Sequence, residues 1–172
     1  GKISGSLSGF GSRRVGRNCI ILLHYLRSLE HAYILQHKIY IAATNQHVGK
    51  TTCTLGICAA LQDLGYKVGY CKPVGQEFVS LENQMVADKD ALLFSKTLGF
   101  ELQPAIHSPV ILGDGATQAF WDNPSEFNYR QKIKAAMQGF PSDKFNWVVC
   151  EGTGHPGVGS IVGLSNAVVA RM

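Results

Sequence analysis

The sequence predicts an α/β domain built on a doubly wound parallel sheet. Short apolar, β-prone runs at 39–43, 67–71 and 146–150 have the length and composition of buried parallel strands. Helical patterns at 50–64, 88–98 and 125–138 separate them. A glycine-containing loop follows each strand directly, at 44–49, 72–76 and 151–160. Strands that alternate with helices form parallel sheets, and such sheets bind ligands at the carboxyl ends of their strands. The three loops are therefore expected to converge on one edge.

Residues 1–37 read differently from the rest. Gly and Ser dominate as far as Ser12, and the first acidic residue is Glu30. Arg13, Arg14, Arg17 and Arg27 carry much of the formal net charge of +4. An acid-poor leader rich in Arg and Ser resembles an organellar transit peptide, and an extension without a role in the fold is the alternative. Either way 1–37 is set outside the folded unit, which is expected to span 38–172. Basic residues in a tail make no basic folded face, so no nucleic-acid partner is expected.

The folded pattern begins with the strand 39–43. After the loop, Leu55, Cys58, Ala59 and Leu61 share one side of the helix 50–64, and Gly65 stands at its C′ position. Lys72-Pro73 halts the second strand. Gly99 stops the helix 88–98. The stretch 105–112 is ambiguous, because Pro104 and Pro109 bracket it. Ser125 is available to cap the helix 125–138. After the third strand and its loop, 164–172 starts another helix. The pattern stops there, so the sheet is expected to be incomplete at the C-terminus, with apolar strand edges uncovered.

Composition sets the class. Hydrophobic residues at 45% and charged residues at 16% suffice for a core of one domain. No stretch of 18 apolar residues exists, so no membrane span is expected. The five cysteines form no CxxC pair and no Cys/His metal pattern. They read as buried thiols in a reducing compartment, which suits a cytoplasmic location, or an organellar one if the leader is a transit peptide.

The chemistry concentrates in the loops. Thr44-Asn45-Gln46-His47-Val48-Gly49-Lys50-Thr51 lies between a buried strand and a helix, the context of a P-loop. Such a loop turns backbone N–H groups toward phosphates, supplies a Lys for the outer phosphates and places a hydroxyl for Mg²⁺. Asn45, Gln46, His47, Val48, Gly49, Lys50, Thr51 and Thr52 are expected to bind ATP. Thr44 stands where the pattern usually has its first Gly. Lys72, at the end of the second strand and fixed by Pro73, is placed to point over the nucleotide edge; an exposed Lys in a turn is the alternative. Glu151, at the end of the third strand, suits a Mg²⁺-holding acid, or else caps a turn. Asp90 is a weaker candidate, also explained as a first-turn acid on a helix. His47, His107 and His155 are candidate ligands or bases, with His155 between Gly and Pro in the presumed substrate loop open to a general-acid role, against the commoner structural or solvent-facing role; Trp121 and Trp147 fit core or edge packing.

These stretches, with Asp90-Ala91 and Trp147-Val148-Val149-Cys150-Glu151-Gly152-Thr153-Gly154, resemble dethiobiotin synthetase in order and spacing from about residue 38 to the end. They resemble equally the cobyrinic acid a,c-diamide synthases and the dethiobiotin-synthetase-like domain of some phosphotransacetylases. The resemblance implies a P-loop NTPase type of sheet. It also implies an ATP- and Mg²⁺-dependent ligase that activates a carboxylate or carbamate by phosphoryl transfer. By position, Lys50 and Lys72 would be catalytic, Thr51, Asp90 and Glu151 would hold Mg²⁺, and Gly152, Thr153 and Gly154 would line the site of a small carboxylic acid. A homodimer is implied as well. His47 departs from the acidic residue usual in dethiobiotin synthetases, and Thr153-Gly154-His155 departs from their Ala-Gly-Gly. Val74-Gly75-Gln76 leans toward the phosphotransacetylase-associated type. The alternative is a nucleotide-sensing regulatory P-loop domain without turnover. A partition-type ATPase ranks last, because no Lys lies between Lys38 and Lys50.

Overall fold

The computed structural model describes residues 13–14, 19–24, 36–82, 84–155 and 157–172, with backbone alone for the first two segments. In chain order the elements are β1 (Arg13–Arg14), β2 (Cys19–His24), β3 (His37–Ala43), α1 (Lys50–Asp63), β4 (Val68–Cys71), β5 (Val74–Gly75), β6 (Phe78–Ser80), β7 (Val86–Asp88), α2 (Lys89–Leu98), α3 (Pro104–His107), β8 (Val110–Ile111), α4 (Ala116–Asp122), a 3₁₀ turn (Pro124–Glu126), α5 (Tyr129–Gln138), β9 (Trp147–Glu151) and α6 (Asn166–Val169).

Among the described residues the main sheet runs β1-β2-β3-β9-β4. β3 and β4 both pair with β9 in parallel, with Ile41 opposite Glu151 and Cys71 opposite Cys150. This register levels the carboxyl ends of the three strands, so the loops after Ala43, Cys71 and Glu151 open on one edge.

Side chains alternate between the two faces of the sheet, as the two-residue period of a strand requires, and β4 and β9 are buried on both faces. Ile39, Ile41, Tyr70 and Val149 pack on one face with Cys58 of α1 and Ala91 and Phe94 of α2. Tyr70 stacks on Phe94 with ring centroids 3.7 Å apart. Cys71, Val148 and Cys150 turn to the other face, against Phe140, Ile106 and Met137. Helical residues on both faces make the sheet doubly wound, as its apolar strands predict. α1 ends as its sequence predicts: Gly65 takes φ 84°, Tyr66 N–H donates to the Leu61 carbonyl and Gly65 N–H to that of Gln62, a Schellman motif.

Several expectations change. Residues 1–37 were set outside the fold with strand edges uncovered, yet Cys19–His24 pairs antiparallel along β3 from Lys38 to Ala43. A β-prone Cys-Ile-Ile-Leu-Leu run satisfies an edge that would otherwise present unpaired N–H and C=O groups. β3 itself starts at His37. The remainder of 1–35 lies outside the described residues. The helix expected over 125–138 breaks in two. Pro124 opens the 3₁₀ turn and Phe127 is extended, with its ring between Phe120 and Tyr129 at 5.9 and 5.3 Å. Ser125 therefore does not cap α5, which starts at Tyr129. The ambiguous 105–112 resolves into α3, with Pro104 in its first turn, and β8, which pairs with β5 in parallel. Trp147 packs as expected, stacked on His37 at 4.5 Å, whereas Trp121 is 72% exposed. Cys58, Cys71 and Cys150 are buried free thiols. No helix of the described residues is long and apolar enough to cross a membrane.

His107 ties α3 to the end of β4, since its carbonyl accepts the Lys72 N–H at 2.8 Å. Its ring lies between Phe100 and Phe140, and Nδ1 lies 2.9 Å from the Gln103 nitrogen and 3.1 Å from the Gln103 carbonyl oxygen. Burial pulls its pKa below the ordinary 6.5, against a smaller opposing effect of the Gln103 backbone. The unfolded chain therefore binds more protons between the two pKa values. Stability is full above 6.5 and falls as the pH drops through the lower folded value. Urea midpoints are expected to fall from about pH 7.5 to about pH 5.5, with a shallower slope in His107→Gln.

Candidate functional site

The loop between β3 and α1 turns through two left-handed residues, His47 at φ 56° and Gly49 at φ 82°. His is among the few non-glycine residues enriched there. The turn leaves the first N–H groups of α1 without helical partners and puts Lys50 at the first position of the helix, 7% exposed. Its ammonium forms an ion pair with Glu151, which is fully buried at the end of β9. The Thr51 hydroxyl donates to the same Glu151 Oε1 at 2.9 Å, and the Tyr70 hydroxyl lies 3.4 Å from Oε2. A carboxylate this deep in the sheet is tolerable because it is paired and hydrogen-bonded.

Lys72 enters from the end of β4. Its ammonium pairs with Asp90, and it stands 3.4 Å from Asp88 Oδ1 and 3.9 Å from Glu151 Oε1. Burial works hardest against its charge, but Asp88, Glu151 and Asp90 together outweigh it and hold its pKa above the usual lysine value. Lys72 is thus a fixed cation and not a base. The two lysines, one opening α1 and one following β4, share one buried carboxylate.

Asp88 is the residue that the sequence reading missed. It is 1% exposed and caps α2, accepting the Asp90 N–H at 2.8 Å. An Asp before the first helical residue is an N-cap signal, but its closeness to Lys72 depends on the sheet. Gly75 packs against it, since a Cβ there would lie 2.0 Å from Asp88 Oδ2. Gly75→Ala is expected to cost about 1–3 kcal/mol of stability through overpacking, read as a lowered denaturation midpoint.

After β9, Gly152 is wedged between Asn166 and Tyr40, where a Cβ would come within 2.6 Å of Asn166 Oδ1. Thr153 N–H and the Tyr40 hydroxyl both donate to that oxygen, at 3.0 and 2.9 Å. Asn166 thereby clamps the loop to the P-loop strand, a long-range contact with no local signal in sequence. His155 Nδ1 accepts the Gly157 N–H at 3.0 Å, which serves the turn.

These residues enclose a cleft of about 490 Å³, the size of a small-ligand site. Asn45, Gln46, His47, Val48, Gly49, Lys50 and Thr51 line it, with Lys72, Asp90, Thr153 and Gly154 opposite. Glu151 lies beneath. Thr52 is exposed on α1 and does not line the cleft, and Gly152 serves packing. A neighbouring hollow of about 450 Å³ around Phe78 and Asp114 shares Gln76, Glu77 and Lys89 with it.

A family model described as an AAA domain matches residues 37–172. The ATP-dependent dethiobiotin synthetase BioD of Caldicellulosiruptor saccharolyticus is 30% identical over 129 residues, covering 67% of this chain and 47% of that protein. A probable cobyric acid synthase of Methanocaldococcus jannaschii is 27% identical over 136 residues, covering 67% and 27%. The dethiobiotin synthetase BioD 2 of Salmonella typhimurium is 28% identical over 117 residues, covering 68% and 48%. The chain spans about half the length of the dethiobiotin synthetases it matches.

Proposed function

The chain belongs to the AAA-domain family, in its dethiobiotin-synthetase-like group of P-loop proteins, and from that premise we propose that 38–172 form the nucleotide-binding part of an ATP- and Mg²⁺-dependent ligase. It activates a small carboxylic acid or a carbamate by phosphoryl transfer. The observation that carries this reading is the pair of buried lysines, one opening α1 and one following β4, set around one carboxylate at the P-loop. Nucleotide sensing requires one such cation. A second, arriving from the end of β4 instead of from the P-loop, suits stabilisation of a phosphoryl group in transit to an acid.

In this reading the N–H groups of 45–51 cradle the phosphates and Lys50 reaches the outer ones. Lys72 neutralises the transferring group, and Thr153 and Gly154 line the acid's place. Thr51, Asp90 and Glu151 offer hard oxygen donors, and the 2.9 Å contact of Thr51 with Glu151 brings two of them together. That set fits Mg²⁺, which takes one or two carboxylates beside phosphate oxygens and water. When bound, Mg²⁺ would supply charge neutralisation at the phosphates. Catalysis then rests on positioning and electrostatics.

The test is phosphate release from Mg·ATP by the full chain across a panel of small carboxylic acids carrying heavy oxygen in the carboxylate. Acid-stimulated turnover with the label recovered in phosphate is expected. Tight ATP binding without either would sink the ligase and leave a regulatory nucleotide sensor.

A further inference from the structure

We infer that Asp88 is a positioning residue for Lys72: it is the dry counter-ion that holds the ammonium when a divalent cation engages Asp90. The inference rests on the reading of Asp90 as a cation ligand given above.

Asp88 is buried and incompletely matched. Its Oδ1 accepts the Asp90 N–H at 2.8 Å and lies 3.4 Å from Lys72 Nζ. Its Oδ2 is buried with no hydrogen-bond partner among the described residues. Such an oxygen is costly and calls for a reason. The reason stands beside it, since a lysine ammonium has three protons to distribute.

The two carboxylates on Lys72 differ in access. The Asp90 side chain is 26% exposed and lines the cleft. Asp88 is 1% exposed and fixed behind it, its N–H donating to Ser108 Oγ at 3.2 Å and Gly75 against its Oδ2. Glu151, the third carboxylate near Lys72, is already engaged by Lys50 and Thr51. A cation that takes Asp90 must break the Lys72–Asp90 pair. Leaving a buried ammonium without a partner would be strongly unfavourable. Asp88 offsets that loss from its place beside the ammonium, with Oδ1 3.4 Å from Nζ and Oδ2 still unbonded. Asp88 therefore governs cation affinity through Lys72 and never touches the cation.

The experiment titrates Mn²⁺ into the full chain saturated with a non-hydrolysable ATP analogue and reads the free ion by electron paramagnetic resonance. Asp88→Asn is expected to weaken Mn²⁺ binding about tenfold, the scale of an outer-shell partner. Asp88→Ser keeps a capping oxygen, removes the charge and is expected to lose as much. Lys72→Met is expected to bind Mn²⁺ at least as tightly as the parent, and Lys72→Met/Asp88→Asn to match Lys72→Met. Undiminished affinity in Asp88→Asn, or the same penalty with Lys72 absent, overturns the inference while Asp90→Asn still weakens Mn²⁺. Parent affinity in Asp90→Asn overturns the reading of Asp90 as well.

Discussion

Lys50→Ala is expected to lower ATP affinity by about thirtyfold or more, measured by calorimetry. Truncating one partner of a buried, hydrogen-bonded charge pair costs about 2–5 kcal/mol. The same change should destabilise the ligand-free fold by about 3–5 kcal/mol, because it leaves a buried charge uncompensated. The charge in question is Glu151, fully buried, with Lys72 the next cation at 3.9 Å. The two effects separate in the double variant. Lys50→Ala/Glu151→Gln should recover most of the stability, since the uncompensated carboxylate is gone, but none of the affinity. Unchanged ATP binding in Lys50→Ala would remove the P-loop from the site.

Lys72→Ala is expected to behave in the opposite way. ATP affinity should stay within about threefold, since the phosphate cradle and Lys50 are intact, while acid-stimulated turnover falls about 10²- to 10³-fold. The distinction follows from where each lysine arises. Lys50 opens α1 inside the cradle. Lys72 follows β4 and stands beside Asp88 and Asp90. A loss of affinity equal to the loss of turnover would make Lys72 a nucleotide-binding residue and nothing more.

Much of this arrangement is legible in the sequence, for local reasons. The three core strands are short, β-prone and apolar. Gly65 and Gly99 mark helix ends that the backbone confirms with left-handed turns. The P-loop, Lys72 and Glu151 each follow or end a strand, so parallel topology alone sets them side by side. What escaped has physical causes. α4 buries none of its residues, so it carries no apolar stripe to recognise. β5 and β8 are two residues each, too short for a period. The hairpin of β6 and β7 leaves Phe78 half exposed, which blurs its alternation. The break before α5 arises from Phe127 filling an aromatic cluster, a tertiary gain that outweighs helix propensity. Asp88 and Asn166 act through partners brought near only by the fold.

The strand order β3-β9-β4 also has a kinetic meaning. The strand in the middle is the last of the described strands to be synthesised, and it must enter between two that were made much earlier. Closing loops of that length before any pairing energy returns is a slow, entropy-opposed step. Until it happens, β3 and β4 have no common partner, and Lys50 and Lys72 have no Glu151 to share. The nascent chain thus acquires its phosphate cradle early but its charge network only when the sheet closes. Competence at the cleft should appear in the same phase as sheet formation during refolding, in a single event.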